Sequence, residues 1–178
     1  MTPDDDKPSG TAADLEASAW GDRLAGAYRE IGDRAMRDLP IFNDALSVEA
    51  VGFRKVNDRI VGVLVTPWFM NLVMAEDDGA FRPRATPGSS LRFHFPAGDI
   101  DFAVSEVASA GRIASCSLFS PMSEFGDMDS ARATAEAALA ALMLPADDEQ
   151  AAGRRDRQLV SSIDRRNFLR GVLTERRG

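Results

Sequence analysis

Val48-Glu49-Ala50-Val51-Gly52-Phe53-Arg54-Lys55-Val56, then Asn57-Asp58, then Arg59-Ile60-Val61-Gly62-Val63-Leu64-Val65-Thr66 run on without interruption. Two runs rich in β-branched residues flank a turn-forming dipeptide, so the stretch predicts a hairpin with strands over 48–56 and 59–66. Residues 60–65 are apolar apart from Gly62, which demands cover on both faces of that strand. A helix on one side is the simplest cover, and the strand is the candidate centre of a sheet.

Downstream, residues 68–76 have a strand-like middle, and 77–90 have the Gly, Pro and Arg content of an exposed loop. Leu91, Phe93 and Phe95 alternate with Arg92 and His94. Beyond a turn at Pro96-Ala97-Gly98-Asp99, Ile100, Phe102 and Val104 alternate with Asp101, Ala103 and Ser105. A second hairpin with one apolar face follows. Ala110-Gly111 leads into a last strand over 112–119, which Pro121 ends.

Helical spacing flanks these strands. Trp20, Leu24, Ala27, Tyr28, Ile31 and Ala35 recur at three and four, predicting an amphipathic helix from near Asp14 that ends before Pro40. Met128, Ala131, Ala135, Ala138, Leu139 and Leu142 form a second stripe over 127–144, with Asp127 or Asp129 as N-cap and Pro145 beyond. The pattern predicts an α+β fold: a mainly antiparallel sheet of four to six strands packed by an N-terminal and a C-terminal helix. It divides the chain into a disordered leader over 1–13, a folded domain over 14–145, and a flexible linker with a basic tail over 146–178.

Composition narrows the chemistry. The chain has 178 residues with one cysteine, Cys116, and one histidine, His94. Neither a disulfide, a zinc ribbon nor a multi-histidine site can be built from that inventory, so no metal, cofactor or catalytic residue is expected. A Cys116–His94 pair is the one enzyme arrangement available, and the alternation at Phe93 and Phe95 places His94 on the opposite, exposed face. A net charge of −7 argues against nucleic acid as a partner. No stretch approaches the roughly 18 apolar residues of a membrane span, and the start of the chain is acidic, so a cytoplasmic protein without stable membrane insertion is expected. The charge is uneven: residues 154–178 hold eight arginines against three acids.

Two blocks depart from an ordinary sheet pattern. Thr66-Pro67-Trp68-Phe69-Met70-Asn71-Leu72 and Cys116-Ser117-Leu118-Phe119-Ser120-Pro121-Met122-Ser123-Glu124-Phe125 each turn at a proline and set aromatics and methionine beside polar groups. They finish the core at strand ends, or they form a groove for a peptide. The groove reading names Trp68, Phe69, Met70, Asn71, Phe119, Met122 and Glu124 as client-binding residues. A pocket on Phe69, Met70, Phe119 and Met122 would take apolar side chains, with Glu124, or Glu49, Glu76, Asp77 or Asp78, meeting arginines at its rim.

Residues 48–53, the two blocks, and Ala131-Arg132-Ala133-Thr134-Ala135 together resemble the HybE family of nickel-iron hydrogenase assembly chaperones, over about residues 20–145. The resemblance implies an α+β fold and a role in maturing a hydrogenase. The implied client is the small-subunit precursor or its twin-arginine export signal; the large subunit or a metallocofactor intermediate, with Cys116 as a transient ligand, is the alternative. Relatives in the HupJ branch add a rubredoxin-type domain, which needs four cysteines and is not carried over.

In the tail, Asp164-Arg165-Arg166-Asn167-Phe168-Leu169-Arg170 resembles the twin-arginine signature itself. Arg165, Arg166, Phe168 and Leu169 keep its spacing, but no apolar stretch follows, so a working signal is not expected. An imitation of the client and a plain basic amphipathic helix are both compatible with these residues.

Overall fold

The computed structural model describes residues 11–76 and 85–145. Helix α1 (Ala12–Ile31) starts two residues before Asp14, because the Thr11 side chain accepts from the Asp14 amide and caps it. A π-helical turn, Gly32–Met36, follows it. Strands β1 (Glu49–Val56), β2 (Arg59–Val65), β3 (Met70–Ala75), β4 (Ser90–Phe95), β5 (Gly98–Val107) and β6 (Gly111–Phe119) precede helix α2 (Met128–Leu142). Asp127 caps α2 by accepting from the Ser130 amide at 2.7 Å.

All six strands form one antiparallel sheet in the order β1-β2-β3-β6-β5-β4. The first hairpin turns at Asn57 and Asp58, both at positive φ, as a two-residue turn compatible with strand twist requires. The second turn is tighter than its sequence suggests: Phe95 pairs with Gly98, leaving only Pro96 and Ala97 between the strands. β2 is an interior strand, but the centre belongs to β3 and β6.

β2 is covered on both faces. Val61, Val63 and Val65 join the core beneath α2, with Leu72, Met74, Phe102, Ala135, Leu139 and Leu142. Leu64 faces α1 and packs with Leu24, Ala25, Phe53 and Val73. The α2 stripe is buried as its spacing requires, with Met128 half-buried at the end.

The α1 stripe is different from the one its spacing suggests. Ile31 and Ala35 are exposed, whereas Ala17, Gly21, Leu24 and Ala25 are buried. Close approach decides this: a Cβ on Gly21 would stand 2.7 Å from the Phe53 ring, and one on Gly62 would stand 2.4 Å from it. Phe53 reaches this face because β1 carries a bulge between Val51 and Arg54, with Gly52 at φ +61°. Val51 therefore lies under α2 while Phe53, two residues on, lies under α1.

The sheet curls. β4, last in the order, comes back beside the β1–β2 hairpin, where the Arg59 guanidinium sits 4.6 Å from the centre of the Phe93 ring. No helix among the described residues is long and apolar enough to cross a membrane.

Candidate functional site: the aromatic end of the sheet

Register brings the two blocks together. Glu49 pairs with Val65, Val65 with Met70, and Met70 with Phe119, so β1 begins, β2 ends, β3 begins and β6 ends at one end of the sheet. β5 runs antiparallel to β6, and the β5–β6 turn between Val107 and Gly111 lies at the opposite end.

The first block turns on Thr66, a fully buried polar residue. Its hydroxyl accepts from the Phe69 amide at 2.9 Å and donates to the Phe69 carbonyl at 2.9 Å, so burial leaves it satisfied. The second block leaves β6 through a cis Ser120–Pro121 peptide and turns again at residues 122–125, where the Phe125 amide donates to the Met122 carbonyl.

Asn43 joins them. Its backbone amide donates to the Pro67 carbonyl at 2.9 Å, and its side-chain amide donates to the Met122 and Phe125 carbonyls at 2.9 and 2.8 Å. Its own carbonyl oxygen accepts from the Ala45 amide. One side chain thus satisfies backbone groups about 80 residues away and fixes both blocks to the segment after α1. Sequence reading missed Asn43, because no periodicity marks a residue whose partners are so remote.

Aromatic rings fill the seam. Phe42 stacks on Trp68, Phe69 meets Tyr28 and Trp68 edge-on, and Phe119 meets Phe125 edge-on with centroids 5.2 Å apart. Burial raises the pKa of Tyr28 above its ordinary value.

The structure divides the residues named from sequence. Met70 and Met122 are fully buried under α2 and Trp68 is buried against Gly32, so these three shape the site from below. Phe69 lies on the α1 side and Met70 on the α2 side, since successive strand residues face opposite ways. The pocket of Phe69, Met70, Phe119 and Met122 does not form. Phe69, Asn71 and Phe119 are half-buried and Glu124 is exposed. The Asn71 side-chain oxygen is buried without a hydrogen-bond partner among the described residues.

In their place stand residues that sequence did not name for client binding. Ile31, Leu39 and Ile41 are 38%, 43% and 46% exposed, in the segment that carries Asn43 and Phe42 onto the blocks. At the same end Phe69 is half-buried on the α1 side and Phe119 and Phe125 are half-buried on the α2 side. Asp38, Asp44 and Glu124, next in sequence to Leu39, Asn43 and Phe125, are exposed, and none has an ion pair among the described residues.

The other acids named for arginine recognition are engaged or outside the described residues. Arg132 donates from Nε and Nη2 to the two Glu49 carboxylate oxygens at 2.7 and 2.8 Å, tying α2 to β1. That fork holds the Glu49 carboxyl below its ordinary pKa. Glu76 accepts from the Ala85 amide at 2.7 Å. Asp77 and Asp78 lie outside the described residues, as do Arg165, Arg166, Phe168 and Leu169.

Cys116 and His94 form no dyad. Cys116 is half-buried against the core beneath α2, whereas His94 is exposed on the other face, its Nδ1 2.7 Å from Asp99. Among the described residues no three His, Cys, Asp or Glu side chains cluster as metal ligands would. A cleft of about 200 Å³ lies away from the aromatic end, between the β1–β2 hairpin and β4, lined by Val61, Met74, Phe93 and Phe95. Of the residues singled out from sequence, only His94 touches it.

The profile of the family described as "[NiFe]-hydrogenase assembly, chaperone, HybE" matches residues 19–171. The hydrogenase expression/formation protein HupJ of Bradyrhizobium diazoefficiens is 67% identical over 165 residues, 93% of this chain and 95% of that one. The hydrogenase expression/formation protein HupT of Azotobacter chroococcum is 44% identical over 113 residues, 63% of this chain and 74% of that one. The solution structure of HybE from Escherichia coli superposes with a TM-score of 0.58 at 23% identity, covering 72% of this chain and 78% of that one, and so shares the fold. The chain belongs to the HybE family of [NiFe]-hydrogenase assembly chaperones.

Proposed function

We propose that this chaperone acts without catalysis in the cytoplasm, holding the small-subunit precursor of a [NiFe]-hydrogenase by its twin-arginine signal. The observation that carries the reading is that Asn43 fastens both aromatic blocks to a segment whose Leu39, Ile41, Asp38 and Asp44 are exposed. Ile31, Leu39, Ile41, Phe69, Phe119 and Phe125 offer contacts for the apolar part of a signal peptide. Asp38, Asp44 and Glu124 offer carboxylates to its guanidinium groups. Buried Trp68, Met70 and Met122 set the shape of that surface.

Site-specific photo-crosslinking tests this. A photoreactive residue at position 41 captures the small-subunit precursor, and one at position 109, on the β5–β6 turn at the opposite end of the sheet, does not. Equal capture at both positions, or capture of the large subunit alone at 41, overturns the reading.

A further inference from the structure

We propose that residues 165–169 of this chain dock in cis on the aromatic end and compete there with the client; this rests on the client reading above. The surface is both apolar and under-neutralised. Ile31, Leu39 and Ile41 are exposed at it, and Asp38, Asp44 and Glu124 lack ion pairs among the described residues. The described residues as a whole carry 17 acids against 10 bases, so a basic segment is attracted to this domain before any specific contact forms.

The chain leaves the domain within reach of this end. The Ala97 amide donates to the Leu142 carbonyl at 3.2 Å, which pins the end of α2 to the β4–β5 turn. α2 starts beside the aromatic end, where the Ser47 amide donates to the Met128 sulfur, and its 15 residues carry the chain about 20 Å along the domain before it leaves. Beyond Pro145 the sequence continues for 33 residues and contains Arg165, Arg166, Phe168 and Leu169. Two guanidinium groups match the exposed carboxylates, and the Phe-Leu pair matches the rings of Phe119 and Phe125.

Length suits the arrangement. Twenty residues, the separation between 145 and 165, can reach at most about 70 Å, more than the width of a domain this size. Tethering at that range gives an effective concentration of about millimolar order, so even a weak contact occupies the site when no client is present. A client must then displace the segment, which filters out peptides that bind more weakly than the tail. The family match extends to residue 171 and so includes this segment.

The test uses the full chain and a full-chain variant carrying Arg165→Gln, Arg166→Gln, Phe168→Ser and Leu169→Ser. A synthetic twin-arginine signal peptide is titrated into each, and amide resonances of Asn43, Phe69, Phe119 and Phe125 are compared without peptide. If the tail fills nine-tenths of the sites, the variant binds peptide about tenfold more tightly, and the resonances at the aromatic end move. Equal affinity with unmoved resonances overturns the tail contact and leaves the client reading standing. Binding to neither form overturns the client reading and, with it, competition for the client.

Discussion

The Asn43 side-chain amide reaches the Met122 carbonyl at 2.9 Å, across 79 residues of sequence. The same group reaches the Phe125 carbonyl, and the Asn43 backbone holds Pro67, so Asn43 ties both aromatic blocks to the segment after α1. Asn43→Ala leaves the Phe125 carbonyl without its donor and the Met122 carbonyl with the Phe125 amide alone. An unpaired group of this kind costs about 1–3 kcal/mol when buried, and this one is part-buried, so a stability loss of about 1–2 kcal/mol is expected in urea unfolding. Asn43→Asp, which cannot donate, should lose nearly as much at neutral pH.

Glu49 and Arg132 give the fold a definite pH dependence. The Glu49 carboxyl titrates below its ordinary 4.5 because Arg132 hydrogen-bonds and attracts its charged form. A depressed carboxylate stabilises the folded state above the ordinary value and ceases to do so as pH falls through the folded one. Glu49→Gln should therefore lower Tm at pH 7, and the gap from the parent should close as pH falls below about 4.5. Both side chains are partly exposed, so the effect is of order 1 kcal/mol or less.

Tyr28 is the single tyrosine of the chain, so its ionisation can be followed alone by absorbance. Burial opposes the phenolate, and its midpoint should lie above the ordinary value of about 10 in the folded protein and return to it in denaturant. Its ring packs edge-on to Phe69. A client seated on Phe69 should raise the midpoint further.

Surface and core substitutions separate binding from stability. Leu39→Ser and Ile41→Ser remove exposed apolar groups and should weaken client binding while shifting Tm little. Trp68→Ala empties a buried site against Gly32 and Phe42 and should cost about 3–5 kcal/mol of stability, so its loss of binding is secondary. Cys116→Ser should leave client binding within about twofold. If it abolishes maturation with the fold intact, a metallocofactor intermediate bound through Cys116 replaces the signal-peptide reading.

Both hairpins, the last strand and the two helices were legible in the sequence because each rests on local rules: turn chemistry at Asn57-Asp58, alternation at Leu91-Phe93-Phe95, and helical spacing in α2. Phe53 was not, since period-two alternation places it beside Val51 and only the bulge at Gly52 turns it to the other helix. The face of α1 was misjudged for a related reason. Spacing rewards large residues such as Ile31, whereas contact with Phe53 selects a glycine at 21. At the aromatic end the blocks were found but their depth was not, because burial of Met70 and Met122 depends on α2 lying over them. Asn43 and the exposed Leu39 and Ile41 sit in a segment without a regular period, which pattern reading passes over.

The most direct measurement is calorimetric titration of a hydrogenase small-subunit twin-arginine signal peptide into the full chain, into Ile41→Ser with Glu124→Lys, and against a twin-lysine peptide. Binding to the parent should weaken at least tenfold, about 1.4 kcal/mol, in the double variant and with twin lysine. Binding that ignores both changes, or no binding to the parent or to the tail variant, would contradict it.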